Sequence, residues 1–373
     1  MIYLDSASTS LQKPGRVIRA VSGAVTRLAS PGRGCHRPAM AAADCILNCR
    51  MLLADYFNVP APENVVFTFN ATHGLNIAIS SLVLPGDRVV VSGYEHNSVI
   101  RPLNAIGAQV IVAGAPLFDR SAAEEAFRQA LPGAKCCVCT HVSNAFGFIL
   151  PILEIAELCH EKRVPLIIDA SQSAGILPLD FKRLGAAFVA MPGHKSLLGP
   201  QGTGVLLCGG VSRPLMSGGT GSDSTEGLMP DFLPDRLESG THNAAGIAGL
   251  TRGLSYIMSK PAGAIFRHEK NLCFALAERL GKLPGLTVFQ DGSRSAQTCI
   301  LSVCCEQMTN DALAEKLDAA DICVRAGLHC SPAAHRSAGT LERGTVRFSF
   351  SPFNTPKEAA VTAEAVKRIL SDA

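Results

Sequence analysis

Val164-Pro-Leu-Ile-Ile-Asp169-Ala-Ser-Gln172 reads as a short buried β-strand that stops on a carboxylate. An ionised aspartate at such a strand end needs a positive partner to stay charged. The same position also suits a helix N-cap, so the stretch alone leaves both readings open. The next strand-like run ends in Met191-Pro-Gly193-His194-Lys195, followed by Gly199-Pro-Gln-Gly202-Thr-Gly204. Lys195 thus stands 26 residues beyond Asp169 at the next strand end. In an open α/β sheet, two such ends converge on one crevice.

Outward from this pair, apolar runs at 64–69, 88–92, 109–112, 136–140, 164–169, 187–191 and 204–208 alternate with helical patterns. This βαβ rhythm predicts an α/β fold: a mostly parallel sheet sandwiched by helices, with ligands beyond the carboxyl ends of the strands. The Gly-, Ser-, Asp- and Pro-rich stretch 218–243 separates that region from a helical pattern starting near Ala262. Strand-like runs at 286–289, 298–304, 322–325 and 345–349 then predict a smaller α+β domain.

The chain has 373 residues, 47% of them hydrophobic and 17% charged, enough for two well-buried domains and few solvating segments. Its mean hydropathy of +0.23 agrees with a core-rich globular enzyme. The 34 basic and 31 acidic residues are scattered without like-charge blocks, so neither nucleic acid nor a membrane is indicated as a partner. Met1 to Ser10 carries Asp5 and lacks a basic segment followed by an apolar one, and no later run reaches the length of a membrane span. With 14 cysteines, these features lead us to expect a reducing, cytoplasmic location. Most of the cysteines, such as Cys136, Cys137, Cys139, Cys304 and Cys305, lie in apolar runs and read as small core side chains.

Several residues carry chemistry beyond packing. A pyridinium nitrogen would supply the positive partner of Asp169; in pyridoxal-phosphate (PLP) enzymes such an aspartate keeps the ring protonated and makes it an electron sink. Lys195, approached by a glycine-rich backbone, suits a Schiff base, although alone it also fits a solvated loop lysine. Phe69-Asn-Ala71-Thr72-His73-Gly74 follows a strand and opens a helix, turning free N–H groups and a hydroxyl toward a phosphate. Glu95-His96-Asn97 ends another strand, where an imidazole can stack on a flat ring and shuttle protons, or simply serve structure.

Cys330 lies beside Gly327 and Ser331-Pro332 in what reads as a mobile, exposed segment, with Arg325 and His329 as candidates to raise its thiolate fraction. The alternative is one more buried thiol. Arg347, 17 residues later in Gly344-Thr-Val-Arg347-Phe-Ser-Phe, falls on an alternating strand. Its fork suits a substrate α-carboxylate, a contact worth about 1.5–3 kcal/mol, or a carboxylate of the protein itself.

Eight ordered elements resemble the class V aminotransferase family, in its cysteine desulfurase and selenocysteine lyase branch. They are Tyr3-Leu-Asp5-Ser-Ala-Ser8-Thr9, Arg33-Gly-Cys-His36, Glu95-His96, Ser143-Asn144-Ala-Phe-Gly147, Asp169-Ala-Ser-Gln172, Gly193-His194-Lys195, Glu238-Ser-Gly240-Thr241 and Arg325-Ala-Gly327-Leu-His-Cys330. The resemblance spans essentially the whole chain, and the Arg-Gly-x-His element and short Cys loop are similar to those of Suf-type enzymes. It implies an aspartate-aminotransferase-like fold (fold type I): residues 1–15 packing with the small domain, 16–250 forming the large PLP-binding domain, and 251–373 the small domain bearing the Cys loop. It also implies that Lys195 holds PLP as a Schiff base, Asp169 pairs with the ring nitrogen, His96 stacks on the ring, and Gln172 and Asn144 lie near its hydroxyl. Phosphate contacts would come from Ala71, Thr72, His73 and His194, with Thr241 reaching across a homodimer interface. Arg347, His36 and Asn144 would bind substrate. Many relatives carry a serine before the Gly-His-Lys triplet; here Pro192 offers neither hydroxyl nor N–H, which puts phosphate affinity in question.

The resemblance implies a desulfurase that converts L-cysteine to L-alanine, with Lys195 removing the α-proton and Cys330 taking the sulfur as a persulfide for an acceptor protein. The rival readings are a selenocysteine lyase, which depends less on Cys330, an aminotransferase, which needs a keto-acid acceptor, and a noncatalytic cysteine-rich metal-binding protein. No C-x-x-C pair recurs at zinc-site spacing, which argues against the last of these and leads us to expect no metal.

Overall fold

The computed structural model describes residues 1–32, 34–210 and 212–372. Arg33, the first residue of the Arg-Gly-x-His element, lies outside them. The chain opens with a two-residue strand, β1 (Ile2–Tyr3), and two helices, α1 (Gly15–Arg27) and α2 (Arg37–Tyr56). Strands and helices then alternate: β2 (Val65–Thr68), α3 (Ala71–Leu82), β3 (Arg88–Ser92), α4 (Asn97–Ile106), β4 (Gln109–Ala113), α5 (Arg120–Ala130), β5 (Cys136–Thr140) and α6 (Ile152–Lys162). The series continues with β6 (Leu166–Asp169), α7 (Phe181–Leu184), β7 (Phe188–Pro192) and β8 (Gly204–Cys208).

These strands form one seven-stranded sheet in the order β2-β8-β7-β6-β5-β3-β4. β7, β6, β5, β3 and β4 run parallel, and β8 alone is reversed against both of its neighbours. Every residue of β5, β6, β7 and β8 is buried, because helices cover both faces. That double burial explains why these strands read as unbroken apolar runs instead of alternating ones. Asn70, His96 and Asp119 each cap the helix that follows β2, β3 and β4, accepting a backbone N–H from its first turn. The chain therefore turns sharply at each of these strand ends and leaves a crevice above the carboxyl edge of the parallel strands.

A second layer follows α8 (Ala244–Met258): α9 (Ala264–Leu280), β9 (Leu286–Phe289), β10 (Ile300–Cys305), α10 (Asn310–Ala319), β11 (Ile322–Cys323), β12 (Arg325–Gly327), α11 (Pro332–Ser337), β13 (Thr345–Ser349) and α12 (Pro356–Ser371). Its four-stranded sheet has the order β12-β13-β10-β9 and is antiparallel throughout. The single run anticipated at 322–325 is split: β11 pairs with β1, while β12 pairs with β13. The alternation read along β13 gives way to burial of all five residues, because α9 and α12 pack together on one face and the large domain lies against the other. Position 250, where the sequence divides the domains, falls inside α8; that helix packs on α1 and α2, so the chain leaves the first layer only after Met258.

Among the described residues, no helix is long and apolar enough to cross a membrane, and no cluster of three or more His, Cys, Asp or Glu side chains could hold a metal ion.

Candidate active site

β6 and β7 are parallel neighbours with Asp169 opposite Ala190. Asp169, at the end of β6, and Lys195, three residues past β7, line one cleft of about 490 Å³ together with Ala71, Thr72, His96, Asn144, Gln172 and His194. Asp169 is buried, and its Oδ1 accepts the Ser171 N–H at 2.9 Å. Among the described residues no hydrogen bond or ion pair within 4 Å engages the Lys195 amine. Burial pushes that amine down to about 8, against the opposing pull of the Asp169 charge. The cleft therefore holds an acid and a readily deprotonated amine that face common space without neutralising each other.

His96 caps α4: its Nδ1 accepts the Ser98 N–H at 3.0 Å and lies 2.8 Å from the Ser98 hydroxyl. Burial pushes the imidazole down to about 4, with Asp169 acting in the opposite sense, so a neutral ring with an accepting Nδ1 faces the cleft. The Ser98 hydroxyl also lies 2.7 Å from that of Thr72. Asn70 satisfies the His73 N–H, leaving the Ala71 and Thr72 N–H groups without an acceptor among the described residues. These orphan donors and hydroxyls sit where a helix N-terminus favours an anion. Ser98 was not picked out in the sequence, although a serine two residues past a capping histidine is a visible signal.

The loop bearing Lys195 is clamped by the chain's N-terminal segment. Ser10 Oγ and Lys13 Nζ donate to the His194 carbonyl at 2.9 and 3.1 Å, and His194 Nδ1 lies 3.0 Å from the Thr9 hydroxyl. Gln172 Nε2 donates to the Ala7 carbonyl at 2.9 Å. Burial pushes His194 down to about 4 and Lys13 down to about 8. Ser10 and Lys13 contact each other, but nothing near them in sequence signals their shared partner, the His194 carbonyl, which lies more than 180 positions away.

Cys330 carries an exposed thiol on a loop whose neighbouring residues are tied to Asn144, a lining residue of the cleft. Its carbonyl accepts the Asn97 N–H at 2.8 Å, and both His329 and Cys330 adopt left-handed backbone conformations, with φ of 51° and 57°. Asn144, a wall of the cleft, spends its amide on this loop: Nδ2 donates to the His329 carbonyl at 2.6 Å and Oδ1 accepts from the Ser331 hydroxyl. His329 does not supply a charge to the thiol. Its ring is buried, Nε2 lies 3.0 Å from the Thr345 hydroxyl, and burial with the nearby Arg347 pushes it down to about 2, leaving it neutral. Arg325 is exposed and donates from Nη1 to Ser8 Oγ at 2.9 Å.

Arg347 is only 2% exposed and has a protein carboxylate for a partner. Nη2 donates to Asp5 Oδ1 at 2.7 Å and Ser8 Oγ at 2.8 Å, and Nη1 donates to the Asn144 carbonyl at 2.9 Å. The guanidinium's five donors are not exhausted by these three contacts, and Nε has no partner.

Besides Cys330 and Arg347, which reach the Lys195 cleft only through contacts with its wall residue Asn144 or that residue's loop partners, three anticipated site residues do not line it. The His73 side chain stacks on Phe69 and lines a neighbouring cavity with Thr241, its Nε2 buried and unpartnered. Thr241 is exposed at the end of a loop anchored by Glu238, which pairs with buried Arg50 through two 2.8 Å contacts. His36 is exposed, and its ring accepts the Ala39 N–H at the start of α2.

A seven-stranded, mostly parallel sheet with this acid, amine and neutral imidazole at its carboxyl edge, backed by a smaller α+β layer, is an α/β enzyme of fold type I. The chain belongs to the class V aminotransferase family, whose model matches residues 2–361. It is 33% identical to a probable cysteine desulfurase of Methanothermobacter thermautotrophicus, covering 99% of this chain and 94% of the relative. It is 31% identical to a probable cysteine desulfurase of Pyrococcus abyssi, covering 100% and 96%. Among solved structures, the apo cysteine desulfurase of Thermococcus onnurineus matches with a TM-score of 0.91 at 28% identity, covering 100% of this chain and 95% of that one.

Proposed function

We propose that the protein is a PLP-dependent cysteine desulfurase that converts L-cysteine to L-alanine and takes the sulfur onto Cys330 as a persulfide. The observation that carries this reading is the shared cleft of Lys195 and Asp169, in which the buried amine has no hydrogen-bond or ion-pair partner among the described residues. The residues present fit PLP: an amine for the aldehyde, a carboxylate for the ring nitrogen, a neutral imidazole for the ring face, and unpartnered N–H groups for the phosphate. Lys195, Asp169, His96, Gln172 and Asn144 would hold the ring, and Ala71, Thr72 and His194 the phosphate. Ser98 lies beside Thr72 and can replace the hydroxyl that Pro192 lacks.

When bound, PLP supplies an electrophilic carbon for the substrate amine and a sink for the electrons released at the α-carbon. Lys195, with an amine poised near neutrality, is the base that removes the α-proton and later returns a proton. Arg347 orients the substrate carboxylate through the donors that Asp5, Ser8 and Asn144 leave free. The Cys330 thiolate then bonds to the substrate sulfur as the substrate's carbon–sulfur bond breaks. The released electron pair stays with the carbon skeleton, which is protonated to alanine. Thr241 is exposed and outside the chain's own cleft, and reaching a site from a second copy is the role we assign to it, which favours a homodimer. The persulfide would pass to an acceptor protein, and the location that goes with this reading is the cytoplasm.

The test is to supply cysteine, cysteine sulfinate and selenocysteine separately to the PLP-loaded protein and to its Cys330→Ala variant, and to measure alanine, sulfide and selenide. We expect alanine from cysteine that depends on Cys330. Full cysteine desulfuration by Cys330→Ala would overturn the sulfur-acceptor assignment, and preference for selenocysteine in both proteins would favour the lyase.

A further inference from the structure

We propose that Ser331 is a positioning residue for Cys330, acting through Asn144 to latch the thiol loop onto the wall of the cleft. The proposal rests on the reading of Cys330 as the sulfur acceptor. Three contacts tie three consecutive residues to the large domain. Asn144 Nδ2 holds the His329 carbonyl at 2.6 Å, the Asn97 N–H holds the Cys330 carbonyl at 2.8 Å, and the Ser331 hydroxyl donates to Asn144 Oδ1.

The loop needs such a latch because of its backbone. His329 and Cys330 both have positive φ, at 51° and 57°, a region uncommon for side-chain-bearing residues and, unlike for Asn, Asp and His, not one that Cys favours. Two in succession are held by tertiary contacts and not by local preference. Ser331 is fully buried, and among the described residues Asn144 Oδ1 is the only hydrogen-bond partner of its hydroxyl. Asn144 is itself fixed from behind, its carbonyl accepting from Arg347 Nη1 at 2.9 Å. A continuous chain of contacts thus runs from the buried guanidinium through Asn144 to both neighbours of the thiol. The same amide forms part of the cleft wall, so the sulfur-accepting side chain is registered against the place where substrate would lie.

Two variants probe the latch without replacing a residue that lines the cleft. Ser331→Ala removes the hydroxyl. Asn97→Pro removes the N–H that holds Cys330, together with the Asn97 carboxamide, at the first helical position, where proline is well tolerated, and after His96, already extended at φ −75° and ψ 156°. Hydrogen exchange of the 328–331 amides is measured on the full-length protein without substrate, and steady-state desulfuration on the PLP-loaded protein. Loss of one hydrogen bond should speed exchange in this segment about tenfold and lower kcat about tenfold, with KM for cysteine within about twofold.

Unchanged exchange in either folded variant overturns the latch. Faster exchange with unchanged kcat overturns the positioning role, as does a loss that falls on KM. Should Ser331→Ala not fold, Asn97→Pro decides alone. Failure of the underlying reading of Cys330 as sulfur acceptor is distinguishable, because Cys330→Ala would then keep full desulfuration activity whatever the exchange rates show.

Discussion

Arg347 and Asp5 are 342 positions apart in the chain, yet Nη2 of the first donates to Oδ1 of the second at 2.7 Å. The pair fastens the first residues of the chain to β13, where Asp5 also bridges Ser349 in parallel fashion. Because Arg347 is buried, removing the carboxylate strands a positive charge, and breaking such pairs costs about 3–5 kcal/mol. Asp5→Asn should therefore lower stability by about 3 kcal/mol in urea denaturation. Arg347→Lys keeps the charge and loses the fork, so kcat/KM for cysteine should fall about 10- to 100-fold. Activity unchanged in Arg347→Lys would remove this residue from substrate binding.

Gly253 offers a second test, because it faces the backbone that follows Lys195. A Cβ built there would lie 2.3 Å from the Leu197 carbonyl oxygen and 2.8 Å from the Leu198 carbonyl carbon. On an open helix face Gly→Ala gains up to about 1 kcal/mol, whereas overpacking against a fixed backbone costs about 1–3 kcal/mol. The collision should win. Gly253→Ala is expected to melt at a lower temperature and to bind less PLP in an absorbance titration; a variant more stable than wild type would show the loop to be pliable.

The dependence of stability on pH follows from buried groups of two kinds. Burial pushes His96, His194 and His335 down to about 4, His141 to about 3 and His329 to about 2, from an ordinary 6.5. Unfolding lets these rings take up protons below 6.5, so their contribution is complete above that pH and is lost on acidification. Burial raises Glu95 and Glu269 from 4.5 to about 8. Unfolding releases their protons between 4.5 and 8, so their contribution is lost as pH rises through that window. Five histidines outweigh two glutamates below 6.5, and only the glutamates act from there to 8. Melting temperature measured from pH 5 to 8 should therefore peak near 6.5, and the decline above the peak should flatten in Glu95→Gln and Glu269→Gln. A steady rise to pH 8 would contradict this balance.

The parallel strands and the residues at their ends were legible because doubly buried strands are continuous apolar runs, and because Asp169 and Lys195 each interrupt one at its carboxyl end. Contacts between distant segments were not. Nothing near Asn144 reveals that its amide is spent on His329 and Ser331, and nothing near Lys13 points to His194. His329 was read as a source of positive charge from its place beside Cys330, but burial and the neighbouring guanidinium leave it neutral. Adjacency in sequence says little about dielectric surroundings. The split of 322–325 into two strands was likewise hidden, since the choice of partner for each half is made by β1 and β13 and not by the run itself.

The most direct test of the central claim is borohydride treatment of the PLP-loaded protein, followed by digestion and mass mapping of the cofactor's attachment. Covalently fixed cofactor is predicted on the peptide containing Lys195, with the absorbance near the visible edge lost in Lys195→Ala. Attachment at Lys13, the other lysine whose amine burial brings to about 8, or no attachment at all, would contradict the account.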